Sequence, residues 1–71
     1  MSAYNKKWRI VFVLRNGETE RSVWYKEPMK RDVEDFLDDV INLKWISYVD
    51  DLNQYSALNM QDVTKIYIEF E

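Results

Sequence analysis

The sequence predicts an α+β fold of ββαββ(β) order, an antiparallel sheet of four to five strands with one amphipathic helix packed on one face. Three observations carry that expectation. Asn16-Gly17 stands between two runs rich in Val, Ile, Phe, Trp and Tyr. A helical apolar repeat follows the single proline, Pro28. Two further alternating runs, residues 44–50 and 65–70, lie beyond that repeat.

The first hairpin spans residues 7–26. Asn-Gly suits a two-residue type I′ turn, whose central positions both need φ > 0. A two-residue loop sets the register. Leu14 then faces Thr19, Val13 faces Glu20, Phe12 faces Arg21, Val11 faces Ser22, Ile10 faces Val23, Arg9 faces Trp24 and Trp8 faces Tyr25. Alternation sorts these residues onto two faces. Trp8, Ile10, Phe12, Leu14, Val23 and Tyr25 form the core side, with Thr19 and Arg21 as its polar members. Arg9, Val11, Val13, Arg15, Glu18, Glu20, Ser22 and Trp24 form the outer side. There Arg15 is placed to pair with Glu18, and Arg9 to lie over Trp24 as a cation–π pair.

Glu27-Pro28 breaks the strand, because the residue before proline is pushed to extended geometry. A helix follows from residue 29 or 30 to about residue 43. Val33, Phe36, Leu37, Val40 and Ile41 recur at helical spacing. The opposite face is Arg31, Glu34, Asp35, Asp38, Asp39 and Asn42. Lys30–Glu34 and Arg31–Asp35 are spaced as i,i+4 ion pairs. Residues 44–50 then read as a strand, with Trp45, Ser47 and Val49 on one side and Ile46 and Tyr48 on the other. Asp50-Asp51-Leu52-Asn53 is a polar turn. Residues 54–58 are the optional last-but-one strand, a short return strand or part of the loop, and 59–64 a tight connector. The strand over 65–70 places Ile66, Ile68 and Phe70 on one face. Trp8, Tyr25 and Trp45 are expected at the core or its edge, and Trp24 outside it.

Seventy-one residues make one small domain. With 46% hydrophobic and 15% aromatic residues, the composition is that of a folded domain and not of a disordered segment. The chain has no cysteine, which removes disulfides and thiolate metal sites. It has no histidine, which removes the commonest general base and transition-metal ligand. No apolar run is long enough to span a bilayer. The N-terminal residues lack the apolar stretch of a secretory signal, and the chain reads as a complete cytoplasmic gene product.

The net charge of −3 conceals an asymmetry. Residues 1–31 carry eight Lys/Arg and three acids, net +5, while residues 32–71 carry two Lys and ten acids, net −8. Such a split makes a dipolar surface.

The sequence contains no phosphate-binding loop, dinucleotide fingerprint, nucleophile elbow or zinc motif. Its densest acid cluster, Glu34, Asp35, Asp38 and Asp39, projects from the polar side of a helix, where water keeps carboxylates ordinary. Asp50-Asp51-Leu52-Asn53 lacks the ligand spacing and glycine of a calcium loop. The expectation is therefore a non-catalytic protein with no cofactor and no metal. Its leading functional reading is a protein-binding module, an inhibitor or accessory factor of the kind phages and mobile elements use. It would act through the acidic helix face (Glu34, Asp35, Asp38, Asp39), through the outer hairpin face (Trp24, Val11, Val13, Arg9, Arg15), or through both. A second reading is a small nucleic-acid binder, with bases stacked on the hairpin's rings and its cations along the backbone. A third is a homodimer or larger homo-oligomer joined through a sheet face or edge. No membrane association is expected.

Overall fold

The computed structural model describes residues 7–71; the reading of the N-terminal residues 1–6 falls outside them. Five strands and one helix follow the expected order: β1 (Trp8–Leu14), β2 (Thr19–Arg21), α1 (Val33–Ile41), β3 (Trp45–Val49), β4 (Tyr55–Asn59) and β5 (Val63–Phe70). A 3-10 turn, Met60–Asp62, fills the predicted tight connector before β5. The fold is α+β and every strand pair is antiparallel. The strands do not lie in one sheet. They divide into a three-stranded sheet of order β2-β1-β5 and a two-stranded sheet of β3 and β4.

The two sheets meet where β2 ends. Val23 N–H donates to the Val49 carbonyl at 2.9 Å, and Asp51 N–H donates to the Arg21 carbonyl at 3.0 Å. These bonds form an antiparallel bridge between Ser22 and Asp50. The strand β2 is only three residues long because its chain leaves β1 at Ser22 and turns to β3.

The first turn is longer than expected, and the register slips with it. Leu14 N–H donates to the Glu18 carbonyl at 2.8 Å, and Gly17 N–H to the Leu14 carbonyl at 2.9 Å. The loop is therefore three residues, Arg15 to Gly17, with Gly17 at φ 89°. The Asn16 side-chain oxygen accepts from Glu18 N–H at 2.9 Å. A type I turn closed by a left-handed glycine serves Asn-Gly as well as the two-residue turn does. Val11 now faces Arg21, Phe12 faces Glu20 and Val13 faces Thr19. Arg21 and Thr19 move to the outer side, and Ser22 and Glu20 to the inner one. An extra residue between Ser22 and Tyr25 then restores the expected Trp8–Tyr25 pairing.

The core is Ile10, Phe12, Val40, Ile46 and Tyr48, with Trp8, Tyr25, Phe36, Ile66 and Ile68 packed around it. Phe12 and Tyr48 join the two sheets through rings 5.1 Å apart. The helix is shorter than the periodicity suggests. Asp32 stays extended at φ −58°, ψ 139°. The first helical bond runs from Phe36 N–H to the Asp32 carbonyl at 3.0 Å. Residues 29–32 instead wrap across the aromatic end of the hairpin. At the other end Asn42 donates its side-chain amide to the Asp38 carbonyl at 2.7 Å. The apolar stripe is only partly covered: Val40 is buried and Phe36 meets Trp8 edge-on at 6.0 Å. Ile41, expected in the stripe, is 57% exposed.

Candidate protein-binding surface

The outer hairpin face is occupied by its own neighbours. Val11 has no exposed surface at all. It lies in register between Arg21 on β2 and Tyr67 on β5, whose long side chains cover a small central residue. Val13 is half-buried between Thr19 and Lys65. The Arg9 guanidinium bonds the Glu69 carboxylate at 2.6 Å and lies 4.3 Å from the centre of the Trp24 ring. Trp24, expected to stand out as an exposed anchor, is half-buried with one ring face taken by Arg9. Arg15 is exposed, but it fastens the hairpin tip to the 3-10 turn: its side chain donates to the Gln61 carbonyl at 2.6 Å and its N–H to the Asp62 carbonyl at 2.8 Å. The cation–π pair read from the sequence is present. The open apolar patch around Val11 is not.

The acidic helix face is open. Glu34, Asp35, Asp38 and Asp39 are all exposed. Arg31 bridges to Asp39 at 2.6 Å rather than to Asp35, whose carbonyl it also reaches at 3.3 Å. Among the described residues, Glu34, Asp35 and Asp38 form no ion pair, and no group of His, Cys, Asp or Glu is placed to hold a metal ion.

Behind Trp24 the segment of residues 25–31 encloses a groove of about 670 Å³ with Trp8, Tyr25 and Phe36 in its wall. Trp8 stacks on Tyr25 at 4.5 Å and donates its indole N–H to the Glu27 carbonyl at 2.8 Å. Lys26, Lys30 and Arg31 stand at the rim.

An exposed uncharged face lies elsewhere, on the second hairpin. Ile46 and Tyr48 point into the core. Alternation therefore turns Trp45, Ser47 and Val49 outward, opposite Asn59, Ala57 and Tyr55. None of these six residues is charged, whereas the outer side of the three-stranded sheet carries Arg9, Arg21, Lys65 and Glu69. Trp45 is 60% exposed and Tyr55 93%. A cleft of about 370 Å³ between Trp45, Asn59, Ile41 and Leu43, with Lys44 and Gln61 also in its wall, carries this surface on to the end of the acidic helix. Compared with known proteins, the chain matches no family model, no curated protein and no solved structure.

Trp45, Tyr55, Ile41 and Leu43 were not among the residues singled out from the sequence. Its place in the alternation reads Trp45 as core or core edge, and the structure puts it on the solvent side. The available signal was the alternation itself, since Ser47 lies on the same side as Trp45 and Ala57 on the same side as Tyr55.

The turn beneath this surface is held by Asp50. One carboxylate oxygen accepts from Leu52 and Gln54 N–H, each at 3.0 Å, and the other from the Ser56 hydroxyl at 2.8 Å. The Gln54 bond leads the effects that hold the Asp50 carboxyl below its ordinary pKa, followed by the Ser56 bond, with Leu52 adding to them and burial opposing. Asn53 closes the turn at φ 62°, a left-handed value asparagine tolerates. Burial, with the nearby Glu20, Asp50 and Asp51 carboxylates, pushes the Tyr48 phenol up to about 12.

Proposed function

We propose that the chain is a non-catalytic protein-binding module, an inhibitor or accessory factor, that docks through the outer face of β3–β4 and the adjoining Ile41–Leu43 strip. The supporting observation is the exposure of Trp45 and Tyr55 at opposite corners of an uncharged face in a chain that is 32% charged. Large aromatic rings around small residues are the usual anchors of an interface. Asp38 precedes Ile41 by three positions and shares its side of the helix, so carboxylates border the apolar strip. The matching partner surface is apolar with a rim of Lys and Arg. Association with it is steered by charge and weakens with salt.

The test is capture from the cells that make the protein, with a photo-reactive residue placed at Ser47. A partner cross-linked by the native face and lost with Trp45→Ser plus Tyr55→Ser supports the reading. A partner retained by that double variant refutes it. Within the same experiment, Asp38→Lys plus Asp39→Lys is expected to slow binding and reduce its salt dependence.

The groove behind Trp24 favours a second reading, single-stranded nucleic acid. Its stacked Trp8 and Tyr25 and its rim of Lys26, Lys30 and Arg31 combine rings with cations. Titration with single-stranded DNA and RNA at low salt decides it. Unchanged tryptophan fluorescence rejects this use of the groove.

A further inference from the structure

The outer edge of β4 has a hydrogen-bonding pattern that fits a second copy of itself. Asp50 N–H donates to the Gln54 carbonyl at 2.8 Å, and Met60 N–H to the Lys44 carbonyl at 2.9 Å. Bonded and non-bonded pairs alternate along an antiparallel ladder. Between those two bonds, the bonded pairs are therefore Tyr48–Ser56 and Ile46–Leu58. Tyr55, Ala57 and Asn59 take the non-bonded positions opposite Val49, Ser47 and Trp45. Their N–H groups, and the carbonyls of Tyr55 and Ala57, point away from β3. Among the described residues no strand pairs with that edge.

Natural edges are guarded by lysines, prolines, bulges or a covering element. Of the other outer strands, β5 carries Lys65 and Glu69 and β2 carries Glu20 and Arg21. The run from Gln54 to Met60 has no charge, no proline and no glycine. Two copies of a chain of net charge −3 repel each other, and the run from Gln54 to Met60 adds no like charge at the contact itself.

We propose that β4 pairs antiparallel with β4 of a second copy about a two-fold axis at Ala57, making one four-stranded sheet of order β3-β4-β4-β3. Three features of the strand fit this occupant. Five residues centred on Ala57 are their own antiparallel match, which is what an isologous contact requires. The bonding parity makes Ala57 against Ala57 of the second copy a bonded pair, flanked by Tyr55 against Asn59 on both sides. Ala57 is small and exposed, so the side chains nearest the axis do not collide. The dimer sets Tyr55 of one copy in the same cross-strand row as Asn59 and Trp45 of the other and doubles the uncharged outer face. This inference goes beyond the function proposed above, because it uses the backbone edge of β4 and needs no other protein. Either can fail while the other stands.

The experiment is sedimentation of the purified full chain over a range of concentrations, with cysteines placed to read the register. The native chain is expected to sediment as a dimer that dissociates on dilution. Ala57→Pro is expected to be monomeric with an unchanged circular dichroism spectrum, because the N–H it deletes takes no part in the β3 ladder. The chain has no cysteine of its own, so each introduced thiol reports alone. In a bonded antiparallel pair the Cα atoms lie about 5.5 Å apart, within disulfide reach. Ala57→Cys is therefore expected to cross-link with itself under mild oxidation. Tyr55→Cys is expected to cross-link when mixed with Asn59→Cys and not alone. A native chain that stays monomeric at every concentration overturns the proposal. So does a dimer in which Ala57→Cys fails to cross-link, whatever the fold of the proline variant.

Discussion

Ser22 and Asp50 face each other across the bridge that joins the two sheets, and each spends its side chain holding its own strand in place. The Ser22 hydroxyl accepts from Ile10 N–H at 2.8 Å and donates to the Val23 carbonyl at 2.9 Å. The Asp50 carboxylate accepts two N–H groups and the Ser56 hydroxyl from the turn that follows it. The corner is therefore built from side chains standing in for ladder bonds where the backbone changes partners.

Removing the Ser22 hydroxyl leaves the Ile10 N–H buried without an acceptor. Ser22→Ala should lower stability by roughly 1–3 kcal/mol, the cost of an unsatisfied buried donor. Urea unfolding followed by tryptophan fluorescence measures it. A loss no larger than that of an exposed serine would show that the corner does not depend on this hydroxyl.

The turn at Gly17 makes a separable contribution. A methyl group added there meets no atom within 4 Å, so space is not the obstacle. The left-handed backbone is, and Gly17→Ala should cost about 1–2 kcal/mol. The measurement is a melting curve, with Asn16→Ala as a companion that removes the bond to Glu18 N–H and keeps the glycine.

Acid should act through Asp50. Its folded pKa is lowered, so its contribution to stability is present above the unfolded value, roughly 3.9, and fades as the pH falls through the folded one. Asp50→Asn should flatten that part of the stability profile. Equilibrium unfolding at a series of pH values between neutral and strongly acidic checks the sign.

Base should act through Tyr48. Its phenol is pushed up to about 12, so the folded state disfavours its ionisation. Stability is fully retained below the unfolded value near 10 and is lost as the pH rises from there toward 12. Absorbance titration should show a tyrosine ionising near 12, and Tyr48→Phe should delete that step.

Trp45 should be the ring most open to solvent, since it is 60% exposed while Trp8 and Trp24 are half-buried. Acrylamide quenching should fall more with Trp45→Phe than with Trp8→Phe or Trp24→Phe. Trp45→Ser should change stability by no more than about 0.5 kcal/mol, as expected of a surface position. A larger loss would place the ring in the core and remove the anchor from the proposed docking face.

The elements were legible because each is written locally. Alternation marked β1, β3 and β5, the 3.6-residue repeat marked α1, and Asn16-Gly17 marked the turn. The short strand β4 is less clearly written: Tyr55, Ala57 and Leu58 suit a return strand or a loop, and pairing with β3 decides it. The candidate site was less legible. Glu34, Asp35, Asp38 and Asp39 are exposed, as a polar helix face implies. Val11 is buried, and Trp24 and Arg9 are held by each other and by Glu69. The uncharged face that carries the functional proposal lies on the other hairpin.

What the sequence determines by itself is which residues share a side of each strand or helix, because that depends on backbone geometry over a few residues. It does not determine which side meets the second layer. Asn16-Gly17 supports a two-residue or a three-residue loop, and the difference of one residue exchanged the faces of Thr19, Glu20, Arg21 and Ser22. Likewise Trp45 and Ile46 are equally suited to a core, and only the position of β3 against Phe12 decided that Ile46 and Tyr48 point inward. Burial is a property of how the elements pack. Here the bridge at Ser22 and Asp50, which splits the strands into two sheets, left Trp45 and Tyr55 facing outward.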